Sequence, residues 1–159
     1  MNASLPLLYT NEAPPEFLNQ LDKSPFTEQQ LANFNEHALA IVNQQQAYNK
    51  AHPPIAIYRM ATEGSQTRNG GVIKKAASKL EFTLADGSQV RSAQKGDYVE
   101  YADGTQAQIV TGSGQGNSHL ALVGSYLSNG DQIINTPQNS ALIIERQGVP
   151  LAEDFLPTP

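Results

Sequence analysis

Cysteine and tryptophan are absent from this 159-residue chain, and methionine occurs only twice. Without cysteine there can be no disulfide, no thiolate nucleophile and no cysteine-bound zinc. Basic residues are scarce: ten Lys and Arg stand against fifteen Asp and Glu, a net charge of −5. An acidic chain lacks the positive surface that nucleic acid or an anionic membrane attracts, so neither is expected as a partner. Long hydrophobic runs are missing as well. The opening "MNASLPLLYTNEAPPEF" has no basic n-region, and no stretch approaches the roughly 20 apolar residues of a membrane span. The expectation is a soluble protein made in the cytoplasm, exported, if at all, by a route that reads no N-terminal signal. With 39% hydrophobic residues, the chain can fill one modest core.

Proline and glycine divide what is there. The pair Pro53-Pro54 separates a first region, 1–54, that is rich in Asn and Gln and poor in glycine. Thr27 followed by Gln30 is a capping-box pattern, with Phe26 in the staple position before the cap. Leu31, Phe34, Ala38, Ile41 and Val42 then recur at helical spacing. One helix is predicted over 28–49, ended by "AHPP", because a residue before proline is pushed out of the α region. A shorter helix is predicted over 15–21. The apolar stripe either docks onto the rest of the chain or receives another protein, and periodicity does not separate the two.

From 55 to 147 the pattern becomes mainly β. Short runs at 55–60, 72–74, 80–84, 89–91, 98–101, 106–111, 120–123, 132–135 and 141–145 alternate with Asp-Gly, Gly-Asp and Asn-Gly turns. Many short strands at close spacing predict a compact stack of hairpins rather than a parallel sheet. Glycine and aspartate at Gly70, Gly71, Gly96, Asp97, Gly124, Gly130 and Asp131 are read as turn formers. The final twelve residues, 148–159, form a proline-rich tail expected to run extended over a surface.

A faint internal echo links "YRMATEGSQTRNGGVI", "SAQKGDYVEY" and "LALVGSYLSNGDQI". Each has a small-residue lead-in, a Gly-Asp or Gly-Ser turn and an outgoing strand. Three related hairpin units predict approximate threefold symmetry, a shape suited to a trimeric partner.

At these residues, over about 55–137, the chain resembles the PAAR-repeat proteins, the cones that cap the spike of bacterial type VI secretion systems and related contractile tails. The matching stretches are "ATEGSQTRNGGVIKKAAS", "RSAQKGDYVEYADG" and "IVTGSGQGNSHLALVGSYLSNGDQI". The literal Pro-Ala-Ala-Arg string is absent, with Ser92-Ala93-Gln94 and Leu120-Ala121-Leu122 in its places. The resemblance implies a compact cone of short β-hairpins with pseudo-threefold symmetry behind a helical N-terminal extension. It implies a structural tip, not an enzyme, that caps a trimeric valine-glycine-repeat spike protein and leaves the cytoplasm through the injection machine. Strand-end residues Val72, Ile73, Val99, Ile109, Val123 and Ile133 are the expected contacts with the trimer. The helical stripe would dock an effector or adaptor, or brace the tip.

Many members of that family hold a structural zinc through His and Cys. Asn69 and Tyr101 stand at the corresponding places here, and His37, His52 and His119 are the only histidines. No zinc and no other cofactor is expected. Other chemistry is thinly represented. Ser118 or Ser125 with His119 and Asp131 makes a triad only on paper, with no nucleophile-elbow motif around either serine. "TGSGQGNS" matches neither phosphate-binding fingerprint and reads as a flexible loop. Lys74, Lys75 and Lys79 read as a solvated patch. The rival readings are a small β-domain hydrolase with its site at the glycine loop 112–116, and a Hint-like self-processing domain.

Overall fold

Three short hairpin modules, built to one hydrogen-bonding plan, organise the larger part of the molecule. The computed structural model describes residues 7–159, which form two compact units. The β-unit comprises Tyr58–Ile143 and Leu151–Pro159 together with the described residues up to Asn11. The helical unit comprises Glu12–Ile57 and Ile144–Pro150. The sequence divided the chain into consecutive segments; in the structure the chain returns, so that residues 7–11 and 151–159 both belong to the β-unit. Helices are few and strands short, and the strands paired in named registers are antiparallel. Among the described residues the sheets are two-stranded: β1 (Pro54–Arg59) with β6 (Leu142–Arg146), β2 (Glu81–Thr83) with β3 (Gln89–Arg91), and β4 (Tyr98–Glu100) with β5 (Gln106–Gln108). Runs expected as strands at 72–74, 120–123 and 132–135 are reduced to isolated antiparallel bridges.

In each module a buried alanine leads into a four-residue turn, then a hairpin that returns to a buried isoleucine. The turns are Thr62 to Ser65, Gln94 to Asp97 and Leu122 to Ser125, each closed by a backbone bond of 2.9–3.0 Å. In every case the fourth side chain accepts a hydrogen bond from the first N–H, at 3.0, 2.9 and 2.9 Å. The third residue is Gly64, Gly96 or Gly124 at φ +92°, +100° or +107°, a conformation that costs most side chains about 1–2 kcal/mol. Gly96, Asp97 and Gly124, singled out in the sequence, take the third and fourth places of these turns, and Gly64, not singled out there, takes the same place in the first.

The modules bond to one another in a closed cycle. Ala61 N–H donates to Ala121 C=O, Ala121 N–H to Ala93 C=O, and Ala93 N–H to Ala61 C=O, each at 2.9 Å. Bridges Val72–Glu100, Ile109–Leu127 and Thr67–Ile133 join the hairpins in the same cyclic order. The core follows the same plan: Ala61, Ala93 and Ala121 are fully buried, and so are Ile73, Ile109 and Ile133 and, next to them, Thr67, Val99 and Leu127. Only the second hairpin is longer, because Tyr101 and Thr105 extend it around the Asp103-Gly104 turn.

The helical unit departs from the single predicted helix. Helix α1 spans Pro15–Gln20, α2 Glu28–Ala32 and α3 Glu36–Ala51. The capping box forms, with Gln30 N–H on Thr27 Oγ1 at 3.1 Å and Thr27 N–H on Gln30 Oε1 at 2.9 Å. The predicted helix breaks at Asn33, which ends α2, and Asn35, whose side chain caps α3 through Ala38 N–H at 2.8 Å. Asparagine competes for backbone donors and so favours such boundaries. Phe34 falls in the break and packs edge-on against Phe26, 5.0 Å between ring centres. Arg146 donates two hydrogen bonds to the Asp22 carboxylate, at 2.6 and 2.9 Å, and this pairing raises the Arg146 pKa.

The tail does not run freely along a surface. Phe155 is buried edge-on against Tyr58, with ring centres 4.9 Å apart. Leu156 N–H donates to Gly112 C=O at 2.8 Å, and Asp154 accepts from Gln115 N–H at 2.8 Å. Proline content alone hid this, because one aromatic side chain supplies the anchor. Phe155→Ala is expected to cost about 3 kcal/mol, the usual effect of emptying a buried phenylalanine site. Chemical denaturation of the two proteins measures that difference, and limited proteolysis will show the tail cut faster in the variant.

Candidate functional site

The three hairpin tips meet at one buried carboxylate. Asp131 is 1% exposed. Its Oδ1 accepts from the backbone of Asn69, in the first tip, at 3.1 Å, and from its neighbour Gln132 at 2.8 Å. Its Oδ2 accepts the Tyr101 hydroxyl, from the second hairpin, at 2.6 Å. Asn129, in the third tip, donates to the Tyr101 oxygen at 3.0 Å and accepts from Asp131 N–H at 3.0 Å. Burial pushes the Asp131 carboxyl up, but hydrogen bonds from Thr67, Tyr101, Gln132 and Asn69 outweigh it and hold the group below its ordinary value. Burial, and then the bond to Asp131, raises the Tyr101 phenol. The sequence reading missed this knot because Asn129-Gly130-Asp131 looks like an ordinary turn. Nothing local shows that Tyr101, thirty residues earlier, points at it.

Gly71 sits beneath the knot for a steric reason. A Cβ there would overlap Val99 Cγ1 and stand 2.9 Å from Thr67 Oγ1 and 3.0 Å from Tyr101 Cε1. Gly70, by contrast, has open space around it and a φ of +89°. The pair thus combines a close approach with a left-handed turn. Gly130 is left-handed as well, at φ +85°.

Five of the six residues expected to meet a spike trimer are core. Ile73, Val99, Ile109, Val123 and Ile133 are each at most 5% exposed, and Val72 alone is partly open. In so small a unit the inward positions of every hairpin are used up in filling the interior, so outward contacts fall to their neighbours. Of the helical stripe, Leu31, Phe34, Ala38 and Val42 are half-buried and Ile41 is 55% exposed.

Asn69 and Tyr101, where the family resemblance implies zinc ligands, both take part in the hydrogen bonds around Asp131. Tyr101 spends its hydroxyl proton on Asp131, and Asn69 contributes a backbone donor. Among the described residues no group of three or more His, Cys, Asp or Glu could hold a metal. Hydrogen bonds to the Asp131 carboxylate join the three hairpins there. The paper triad is not assembled: Ser125 Oγ is fully buried on Leu122 N–H, and Asp131 bonds to Tyr101, Asn69 and Gln132. The glycine loop is a bonded structure, with a 3₁₀ turn at Gln115–Asn117 and Ser113 bonded to Asn117. Lys74, Lys75 and Lys79 are exposed, as the reading of a solvated patch requires.

Buried Arg59 also escaped the sequence reading. It donates to Thr10 C=O and to Asn139 at 3.1 Å and lies over the Tyr9 ring, while burial lowers its pKa. Asn11 complements it by accepting Arg59 N–H at 2.8 Å and donating to Val123 C=O at 2.7 Å. Comparison with protein-family models, curated proteins and solved structures returned no match. No helix among the described residues is long and apolar enough to cross a membrane.

Proposed function

We propose that the β-unit is the structural tip of a contractile injection spike, of the type VI secretion or phage-like tail kind, and closes the open end of a trimeric β-helical protein. The observation that carries this reading is the closed ring Ala61–Ala121–Ala93, with the three modules repeated around it. A monomer with three equivalent modules around a pseudo-threefold axis can meet three identical subunits at once, which a single asymmetric surface cannot do. The end of a β-helical trimer exposes unpaired strand edges that need covering.

The hairpin tips, drawn together on Asp131 and closed by turns, form the narrow end of a cone in this reading. The trimer then meets the opposite end, near the isolated bridges that include Met60, Gln94 and Leu120, each partly exposed. Val72 is the one earlier candidate retained at the surface. The role is mechanical and not catalytic. The helical unit, with Ile41 and Tyr48 exposed on α3, docks an effector or adaptor. The protein is made in the producing bacterium's cytoplasm and leaves with the spike.

Native mass spectrometry of the protein mixed with a trimeric valine-glycine-repeat spike protein tests this directly. One copy per trimer is expected. No complex, or three copies per trimer, would overturn the reading, as would labelling by a serine-hydrolase probe.

A further inference from the structure

Strand β2 carries an open edge. Ser92 N–H bonds to Leu80 C=O and Leu84 N–H to Ser88 C=O, both at 2.8 Å, with Phe82 opposite Val90 between them. The antiparallel alternation therefore turns the N–H and C=O groups of Glu81 and Thr83 outward. On the partner strand β3 the outward groups of Arg91 are used: its N–H donates to Glu63 Oε1 at 2.8 Å, and its C=O accepts Glu63 N–H at 3.0 Å. On β2, among the described residues, nothing outside the hairpin bonds to the backbone of Glu81 or Thr83.

That strand lines a groove of about 900 Å³, bounded by residues 81–86, by Leu7 and Tyr9, and by residues 137–140. Its apolar lining includes Leu7, 67% exposed, with Phe82, Leu84 and Pro137. Among the described residues its charged lining is Glu81 and Asp86, with no Lys or Arg. Hydrogen bonds from Ser88 hold the Asp86 carboxyl below its ordinary value, so it is ionised across the physiological range. The nearest cation to Glu81 is Arg91, a loose contact at 3.7 Å between two half-exposed side chains.

We propose that this groove docks an extended basic segment of a partner protein, which adds to β2 as a third strand. Main-chain bonds to Glu81 and Thr83 hold the segment, its apolar side chains meet Phe82 and Leu84, and its cations meet Glu81 and Asp86. The inference stands on the strand edge and the charge of the groove, and is independent of the spike reading.

Thr83→Pro provides a clean test, since the Thr83 N–H points away from β3 and proline is tolerated at such an edge position. A hexapeptide of alternating Val and Lys, and its Val–Glu counterpart, are titrated into ¹⁵N-labelled full-length protein at low salt. The Lys peptide is expected to shift the amide signals of residues 81–86 and to bind roughly tenfold or more tightly than the Glu peptide. Thr83→Pro should abolish those shifts while cross-strand contacts between Phe82 and Val90 persist. Equal binding of both peptides, no shift at 81–86, or undiminished binding by a Thr83→Pro protein that keeps its hairpin would overturn the proposal. Self-association through β2 would overturn it too, by assigning the edge to a second copy.

Discussion

Substituting Ala for Gly71 is expected to destabilise the β-unit by about 3 kcal/mol or more, at the upper end of overpacking effects. The added methyl would overlap Val99 Cγ1, and Val99 is fully buried among the other hairpins. The backbone cannot slide away, because Gly71 N–H is bonded to Thr67 Oγ1 at 2.8 Å and Gly71 C=O to Thr67 N–H at 2.9 Å. For a chain of this size, each kcal/mol corresponds to roughly 2–4 °C in Tm. Gly70→Ala is the internal control. It meets no atom within 4 Å and carries only the left-handed strain of about 1–2 kcal/mol. Thermal or urea unfolding of the two variants should therefore rank Gly71→Ala well below Gly70→Ala. A Gly71→Ala protein as stable as its neighbour would refute the close-approach account.

Asp131→Ala is expected to cost about 3–5 kcal/mol. It leaves the Asn69 and Gln132 N–H groups and the Tyr101 hydroxyl without this acceptor at part-buried positions, and an orphaned donor shielded from water costs about 1–3 kcal/mol. Asp131→Asn keeps the shape and loses the charge, so it should be milder. The two also differ from the parent in acid. A carboxyl held below its unfolded value near 3.9 adds stability above that pH, and the gain disappears as pH falls from about 4 through the lower folded value. The parent's stability should therefore fall more steeply below about pH 4 than that of either variant. Tyr101 acts at the other end. Its folded pKa is raised, so its contribution is complete below about pH 10 and is lost as pH climbs through the folded value. Denaturation midpoints measured from pH 3 to 11 test both limbs. Superimposable acid limbs for parent and Asp131→Asn would sink the assignment of Asp131 as the group that locks the tips.

The readable and unreadable parts of the chain differ by the range of the interactions involved. The turns at Gly96-Asp97 and Gly124-Ser125 were legible because a glycine and the residue after it act over four residues. Thr27 and Gln30 were legible for the same reason, since a capping box closes within one helical turn. The break at Asn33 to Asn35 was not, because hydrophobic spacing continued across it while asparagine's local bonding decided against it. The inward placement of Val99, Ile109 and Ile133 was misread because an apolar strand residue looks the same whether it faces a partner or its own core.

By itself, the sequence determined the chemistry available: no thiol, an acidic surface, short β-runs, and three lead-ins of matching pattern with glycine turns at matching offsets. Only the tertiary structure decided how the modules close on one another, which side chains the interior consumes, that Phe155 anchors the tail, and that Asp131 gathers three tips. These outcomes depend on contacts between residues as far apart as Ala61 and Ala121, or Asn69 and Asp131. Such pairs leave no local period or motif, because their energies exist only once the intervening chain has folded back.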